Sequence, residues 1–186
     1  MTEPSFSRRV PPGDTMERRV CDHCGFTDYQ NPKIVVGSVV RHEGRILLCR
    51  RAIEPRRGFW TIPAGYLELN ESPETGARRE AREEAGADLR LGPLLAVYSV
   101  TRLSQVQLIY RATLASPEIA AGVESLEIAF FAPEDIPHGE LAFPSVHWAL
   151  EHDGLAEAGA AIPFANPLGA DANELPDGTR MSDEAL

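Results

Sequence analysis

Residues 65–87 read GYLELNESPETGARREAREEAGA, and this stretch decides the fold and most of the chemistry. Its middle is a well-marked helix. Ser72 stands at the N-cap with Pro73 at N1, where a missing N–H costs nothing and the fixed φ already suits a helix. Glu74 falls in the first turn, where the helix dipole favours negative charge. Ala77, Ala81 and Ala85 recur every four residues, a small-residue stripe able to pack close against a sheet, and Gly86 is the stop. Glu80, Glu83 and Glu84 then crowd into roughly 100° of the helix circumference. Like charges so spaced cost about 0.2–0.5 kcal/mol per pair on an exposed helix. A solvated, charge-rich surface helix is the ordinary reading of such a run, but the spacing calls for more, and a hard divalent cation is the natural reason for it.

Outward from the helix, residues 33–41 (KIVVGSVVR) and 45–51 (RILLCRR) are β-rich runs joined by His42-Glu43-Gly44, a hairpin signal. Residues 56–65 lead into the motif as an irregular strand and loop. Further strands are predicted near 94–100, 105–114 and 126–132, and a second helix over 144–153, with Pro144 at its start and Gly154 at its end. No internal repeat is visible. This order gives a mixed α/β (α+β) chain and excludes an all-helical or all-strand one. Three regions are expected: an arm at 1–29 carrying Cys21-x-x-Cys24, a core domain at 30–157, and a flexible tail at 158–186, rich in Gly, Pro, Asn and Asp, that stays off the core.

The chain has 186 residues, enough for one domain, and a formal net charge of −10. That charge argues against an open nucleic-acid surface, which needs clustered Lys and Arg. The N-terminus has no apolar signal region and no apolar run approaches membrane-spanning length, so a cytoplasmic protein is expected. Three cysteines without a secretion signal suggest reduced thiols or metal ligation.

The spacing Gly65, Glu71, Arg79, Glu80, Glu83, Glu84, Gly86 resembles, position for position, the Nudix box: Gly, five residues, Glu, seven residues, Arg-Glu-U-x-Glu-Glu-x-Gly-U. Only the two U positions depart, being Ala81 and Ala87 where a larger aliphatic residue is usual, which touches packing and none of the chemistry. The resemblance extends from about Gln30 to about His152. It implies an α/β/α sandwich with a mixed central sheet and a loop-helix-loop catalytic motif. It also implies a Mg²⁺- or Mn²⁺-dependent hydrolase of pyrophosphate bonds with a small nucleotide substrate, and leaves a homodimer open.

By that resemblance, Glu80 and Glu84 are the principal metal ligands, with Glu83 direct or through water and the Gly65 carbonyl as a further candidate. Arg79 would orient the glutamates, and Glu71 would anchor the loop. The proton acceptor is one of the box glutamates, Glu83 or Glu84 among them, or a carboxylate on a later loop, where Glu124 and Glu127 are the candidates. The Glu134-Asp135 pair reads as a cap on a short turn. Arg50 and Arg51 are candidates for phosphate contact, with Trp60 and Tyr66 for stacking on a purine or flavin. For Phe59 and Tyr98 a core role is at least as well supported.

Cys21-x-x-Cys24-Gly25 is half of a zinc ribbon. Related Nudix proteins carry an earlier Cys-x-x-Cys pair that this sequence lacks, and a closed zinc site needs four ligands. A degenerate, zinc-free knuckle is therefore expected, with Cys49 as a core strand residue. Segments around Asn31, Gly58-Phe59-Trp60 and Ile62-Pro63-Ala64-Gly65-Tyr66 resemble the branch that cleaves ADP-ribose and FAD. Ser104-Gln105-Val106-Gln107 lacks the Pro-Trp pair of the NADH pyrophosphatases. Rival readings are an NADH pyrophosphatase, a nucleoside triphosphate or RNA-end hydrolase, a non-catalytic ADP-ribose sensor, and a zinc-ribbon nucleic-acid adaptor. The sensor would be expected to lack a box carboxylate, and none is missing.

Overall fold

The structure, a computed structural model, describes residues 5–175 and 178–181. The chain divides into two compact units, residues 1–32 and 33–186.

In the first unit, strands β1 (Phe6–Arg9), β2 (Arg18–Cys21) and β3 (Thr27–Asp28) form an antiparallel meander. The arm expected at 1–29 is thus a small sheet over these residues. Asp14 fixes the β1–β2 connection, accepting from the amides of Thr15 and Met16 and from Arg18 Nε at 2.9 Å. Such a turn chelated by one carboxylate gives structure to a polar sequence with no hydrophobic period. The Cys21–Cys24 turn is closed by the Gly25 amide donating to the Cys21 carbonyl at 3.0 Å. Cys21 is buried and Cys24 exposed. The backbone amides of Cys24 and His23 hold the Cys21 thiol below its ordinary pKa.

The second unit is built on a seven-stranded mixed sheet. Its strands are β4 (Lys33–His42), β5 (Arg45–Arg51), β6 (Trp60–Thr61), β7 (Ala64–Tyr66), β8 (Leu89–Val100), β9 (Gln105–Leu114) and β10 (Ser125–Phe131). The main path runs β10-β5-β4-β9-β8, with β6 on β5 and β7 on β4. The β4–β9 pair is parallel along its length and the other pairs are antiparallel. Glu43 and Gly44 both have positive φ, 49° and 77°, as a tight two-residue hairpin requires.

Helix α1 (Pro73–Ala85) matches the expected bounds. Ser72 Oγ accepts from the Thr75 amide at 3.2 Å, and Gly86 closes the helix at φ 60°. Helix α2 (Pro144–Glu157) runs four residues past its expected end, straight through Gly154. A glycine costs only about 1 kcal/mol in a helix, which the buried Val146, Trp148, Ala149 and Leu150 offset. Val39 of β4 and Ile46 and Leu48 of β5 pack in one core with α2. Val40, Leu47 and Cys49, their neighbours along the same strands, join α1's Ala81 and Ala85 in the other. Both sheet faces are therefore covered, which is why these strands read as unbroken apolar runs. Ala81 and Ala87, the two box departures, are fully buried against the sheet. Among the described residues, no helix is long and apolar enough to cross a membrane.

The segment after α2 differs from the expected free tail. Phe164 pairs with β8, donating its amide to Leu95 O at 2.8 Å and accepting from Val97 N at 2.9 Å, and its ring stacks on His152 at 4.2 Å. Asn166 continues the pairing, its side-chain amide bonding both the N–H and the C=O of Ser99. Leu175 and Met181 are buried. Edge strand β8 offers open backbone groups, and a polar, Pro- and Gly-rich segment satisfies them without any hydrophobic period of its own.

Candidate active site

Strand β7 delivers Gly65 beside β4, opposite Val36, and α1 returns along the same edge. Glu80 and Glu84 share the buried face of α1 with Ala77 and Ala81, whereas the Glu83 side chain is 58% exposed. A Cβ on Gly65 would meet the Glu80 carboxyl, so glycine here lets the carboxyl rest directly against the backbone of β7. Glu84 Oε2 accepts from the Ala64 amide at 3.2 Å.

Arg79 is the hub of the motif. Its Nη1 donates to Glu80 at 2.7 Å and Glu83 at 2.9 Å, and its Nη2 to Glu71 at 2.8 Å and to the Tyr66 carbonyl at 2.9 Å. Glu71 also accepts the Glu68 amide at 2.8 Å, which ties the loop to the helix. Those bonds hold Glu71 below the usual carboxylate range. Burial does the opposite to the deeper pair. It raises Glu80 and pushes Glu84 up to about 8, the Ala64 amide opposing the rise and the Glu80 charge adding to it.

These groups open into a cleft of about 790 Å³. Of the residues expected at the site, Gly65, Tyr66, Arg79, Glu80, Glu83, Glu84, Arg51 and Glu124 line it. Arg50, Trp60 and Glu127 do not. Trp60 is 6% exposed and packs edge-on to Phe131 in the core, so its face is unavailable for stacking on a base. Arg50 lies over the Trp60 ring and donates to the Gly58 carbonyl and to Glu127, an ion pair outside the cleft. Strand alternation explains the split: Arg50 and Arg51 point to opposite sides of β5. Tyr98 is a core residue, with its hydroxyl 2.7 Å from His152 Nδ1. Residues the sequence reading did not select also line the cleft, among them Lys33, Arg102, Gln105, Gln107 and Met181. Gln105 and Gln107 share one face of β9 by alternation, a signal present in the sequence. Arg102 and Met181 carried none.

The donor set fits a hard divalent cation. Two largely buried carboxylates, Glu80 and Glu84, are met by one guanidinium N–H, from Arg79 to Glu80, and one neutral amide, from Ala64 to Glu84, which leaves carboxylate oxygens open to a cation. Among the described residues no three carboxylate, thiol or imidazole groups already form a cage. A cation that keeps several waters needs only a few protein oxygens.

The NUDIX domain model matches residues 31–149, and the N-terminal zinc-ribbon model of Nudix proteins matches residues 3–30. The solved structure of a Nudix hydrolase from Nitrosomonas europaea is 40% identical, with a TM-score of 0.82 over 87% of this chain and 93% of that one. A MutT-like protein of Streptomyces ambofaciens is 37% identical over 55% of this chain and 64% of its own length. An ADP-ribose pyrophosphatase of Methanocaldococcus jannaschii is 29% identical over 62% of this chain and 69% of its own. The match to the MutT-like protein spans less than two thirds of its length. This mixed sheet with a carboxylate-bearing loop-helix-loop is the architecture of a Nudix hydrolase, and the chain belongs to the Nudix family.

Proposed function

We propose that the protein hydrolyses the pyrophosphate bond of a nucleoside diphosphate linked to another moiety, with ADP-ribose or FAD as substrate, releasing AMP and a second monophosphate. The observation that carries this reading is the buried Glu80–Glu84 pair against Gly65, at the wall of a cleft that also presents Arg51, Lys33 and Arg102. Carboxylates to hold a cation and cations to meet phosphates are what a pyrophosphate demands.

Glu80, Glu84 and the Gly65 carbonyl would hold Mg²⁺ or Mn²⁺, with Glu83 reaching it directly or through water. When bound, the ion neutralises phosphate charge and acidifies a coordinated water. Arg79 fixes the Glu80 and Glu83 carboxylates. Arg51, held by its own Nε–H to the Pro55 carbonyl at 2.8 Å, faces the substrate oxygens. Glu124 lines the cleft, its charge adds to the rise of both buried glutamates, and of the two loop candidates it would be the one to take a proton. Tyr66, half exposed with Lys33 Nζ 5.0 Å from its ring centre, is the aromatic surface offered to a base.

The ADP-ribose pyrophosphatase relative supports this substrate class. The test is product analysis on ADP-ribose, FAD, NADH and nucleoside triphosphates with Mg²⁺. We expect kcat/KM for ADP-ribose or FAD at least about tenfold above NADH, roughly 1.4 kcal/mol. If NADH or a triphosphate proves best, the substrate assignment fails.

A further inference from the structure

The C-terminal segment does more than cover a sheet edge. Ala172 and Met181 line the same cleft as the glutamates, together with Val100, Arg102 and Leu103 from the end of β8 and the turn that follows it. The segment folds back on itself: Glu174 and Arg180 face each other across an antiparallel bridge, Met181 N donates to the Asn173 carbonyl at 2.7 Å, and Leu175 N to Thr179 O at 2.9 Å. Its first arm is latched. Asp171 accepts both the Asn173 amide at 2.9 Å and Asn173 Nδ2 at 2.7 Å, which turns Asn173 Oδ1 toward Arg102 Nε at 2.6 Å.

Strand order locates this wall. The glutamates of α1 stand beside Gly65 of β7, which pairs with β4, while the hairpin sits beside β8, and β4 and β9 lie between β7 and β8. Three inter-strand steps, β7 to β4 to β9 to β8, amount to about 14 Å. A group extending from a pyrophosphate at the glutamates along this cleft toward β8 passes Gln105 and Gln107 and meets the hairpin.

We propose that the hairpin closed by Met181, with the Arg102 it latches, is the specificity wall of the cleft. It selects for a compact hydroxylated group such as a pentose over a second nucleoside or a flavin. Arg102 supplies charged donors to hydroxyl or phosphate oxygens, whereas Met181, Ala172, Leu103 and Val100 are apolar and limit length. This rests on the pyrophosphatase reading above and narrows its substrate from ADP-ribose or FAD to ADP-ribose.

The experiment measures kcat/KM for ADP-ribose, FAD and NADH on the full chain and on its Met181→Ala and Arg102→Gln variants. The ratios between substrates within each preparation are the readout, since partial unfolding cancels from a ratio. Met181→Ala is expected to raise FAD and NADH relative to ADP-ribose by at least threefold. Arg102→Gln is expected to lower ADP-ribose relative to the other two by at least threefold. Ratios that stay within threefold of the parent in both variants overturn the wall. A parent protein inactive on the whole panel would instead overturn the pyrophosphatase reading, so the two failures are distinct.

Discussion

The Glu84 carboxylate accepts the Ala64 amide at 3.2 Å, a neutral hydrogen bond that joins α1 to the strand presenting Gly65. An ionised carboxylate so buried is poorly compensated by an amide alone. A cation bound beside it would supply the missing compensation.

Glu84→Gln keeps the shape and a hydrogen-bond acceptor while removing the charge. It should lower kcat/KM by about a hundredfold or more, roughly 2.7 kcal/mol of transition-state stabilisation. The melting temperature without metal should hold or rise. Steady-state kinetics at saturating Mg²⁺ checks the first part, and near-normal turnover would remove Glu84 from the metal site.

Arg79 places its fork on Glu71, Glu80, Glu83 and the Tyr66 carbonyl at once. Lysine keeps the charge but cannot match that geometry. Arg79→Lys should therefore weaken Mg²⁺ activation, seen as a higher metal concentration for half-maximal rate, and lower Tm by several degrees. If metal dependence is unchanged, Arg79 does not organise the carboxylates.

The legible part of the molecule was the part governed by local rules. Ser72, Pro73 and Gly86 bounded α1, and two β-rich runs joined by His42-Glu43-Gly44 marked β4 and β5. Site residues were legible only where the motif carried them. Arg50 and Arg51 look alike in sequence, and only the facing of β5 sends one to the cleft and the other to Glu127. Trp60 was misread as a stacking surface because burial depends on β10 and its Phe131, far away in sequence. The segment after α2 docks through backbone pairing and side-chain amides, which leave no hydrophobic period to read.

The same long-range logic applies to Asp153. It is fully buried on α2 and accepts from Arg41 Nε of β4 at 2.5 Å and Arg111 Nε of β9 at 2.8 Å. Asp153→Ala leaves two guanidinium groups without their common partner, at a cost of about 3–5 kcal/mol. For a chain this long that is roughly 10 °C or more in Tm. Thermal denaturation checks it, and a loss under about 2 °C would show that the network contributes little.

Cys21 and Cys24 supply two thiols where a closed tetrahedral zinc site takes four ligands. Treatment with a zinc-selective chelator should leave Tm and Mg²⁺-supported activity nearly unchanged. Stoichiometric zinc by elemental analysis, with a large drop in Tm on its removal, would show that further ligands complete the site.

His152 gives the clearest pH dependence outside the metal site. Its ring is buried between Tyr98 and Phe164, with Nδ1 2.7 Å from the Tyr98 hydroxyl. Burial holds its pKa below the ordinary value, the neighbouring Glu151 charge opposing the shift only in part. In the unfolded chain the imidazole takes its proton near pH 6.5. Between that value and the lower folded one, the unfolded state binds more protons, so stability falls as pH falls, and the loss levels off once the folded ring protonates too. Replacing the ring with one that cannot titrate removes this contribution. His152→Phe leaves the Tyr98 hydroxyl without its partner and should lower Tm at every pH, yet its Tm should decline less between pH 7.5 and 5.5 than that of the parent protein. Parallel Tm profiles for the two proteins would show that the folded imidazole protonates as freely as the unfolded one.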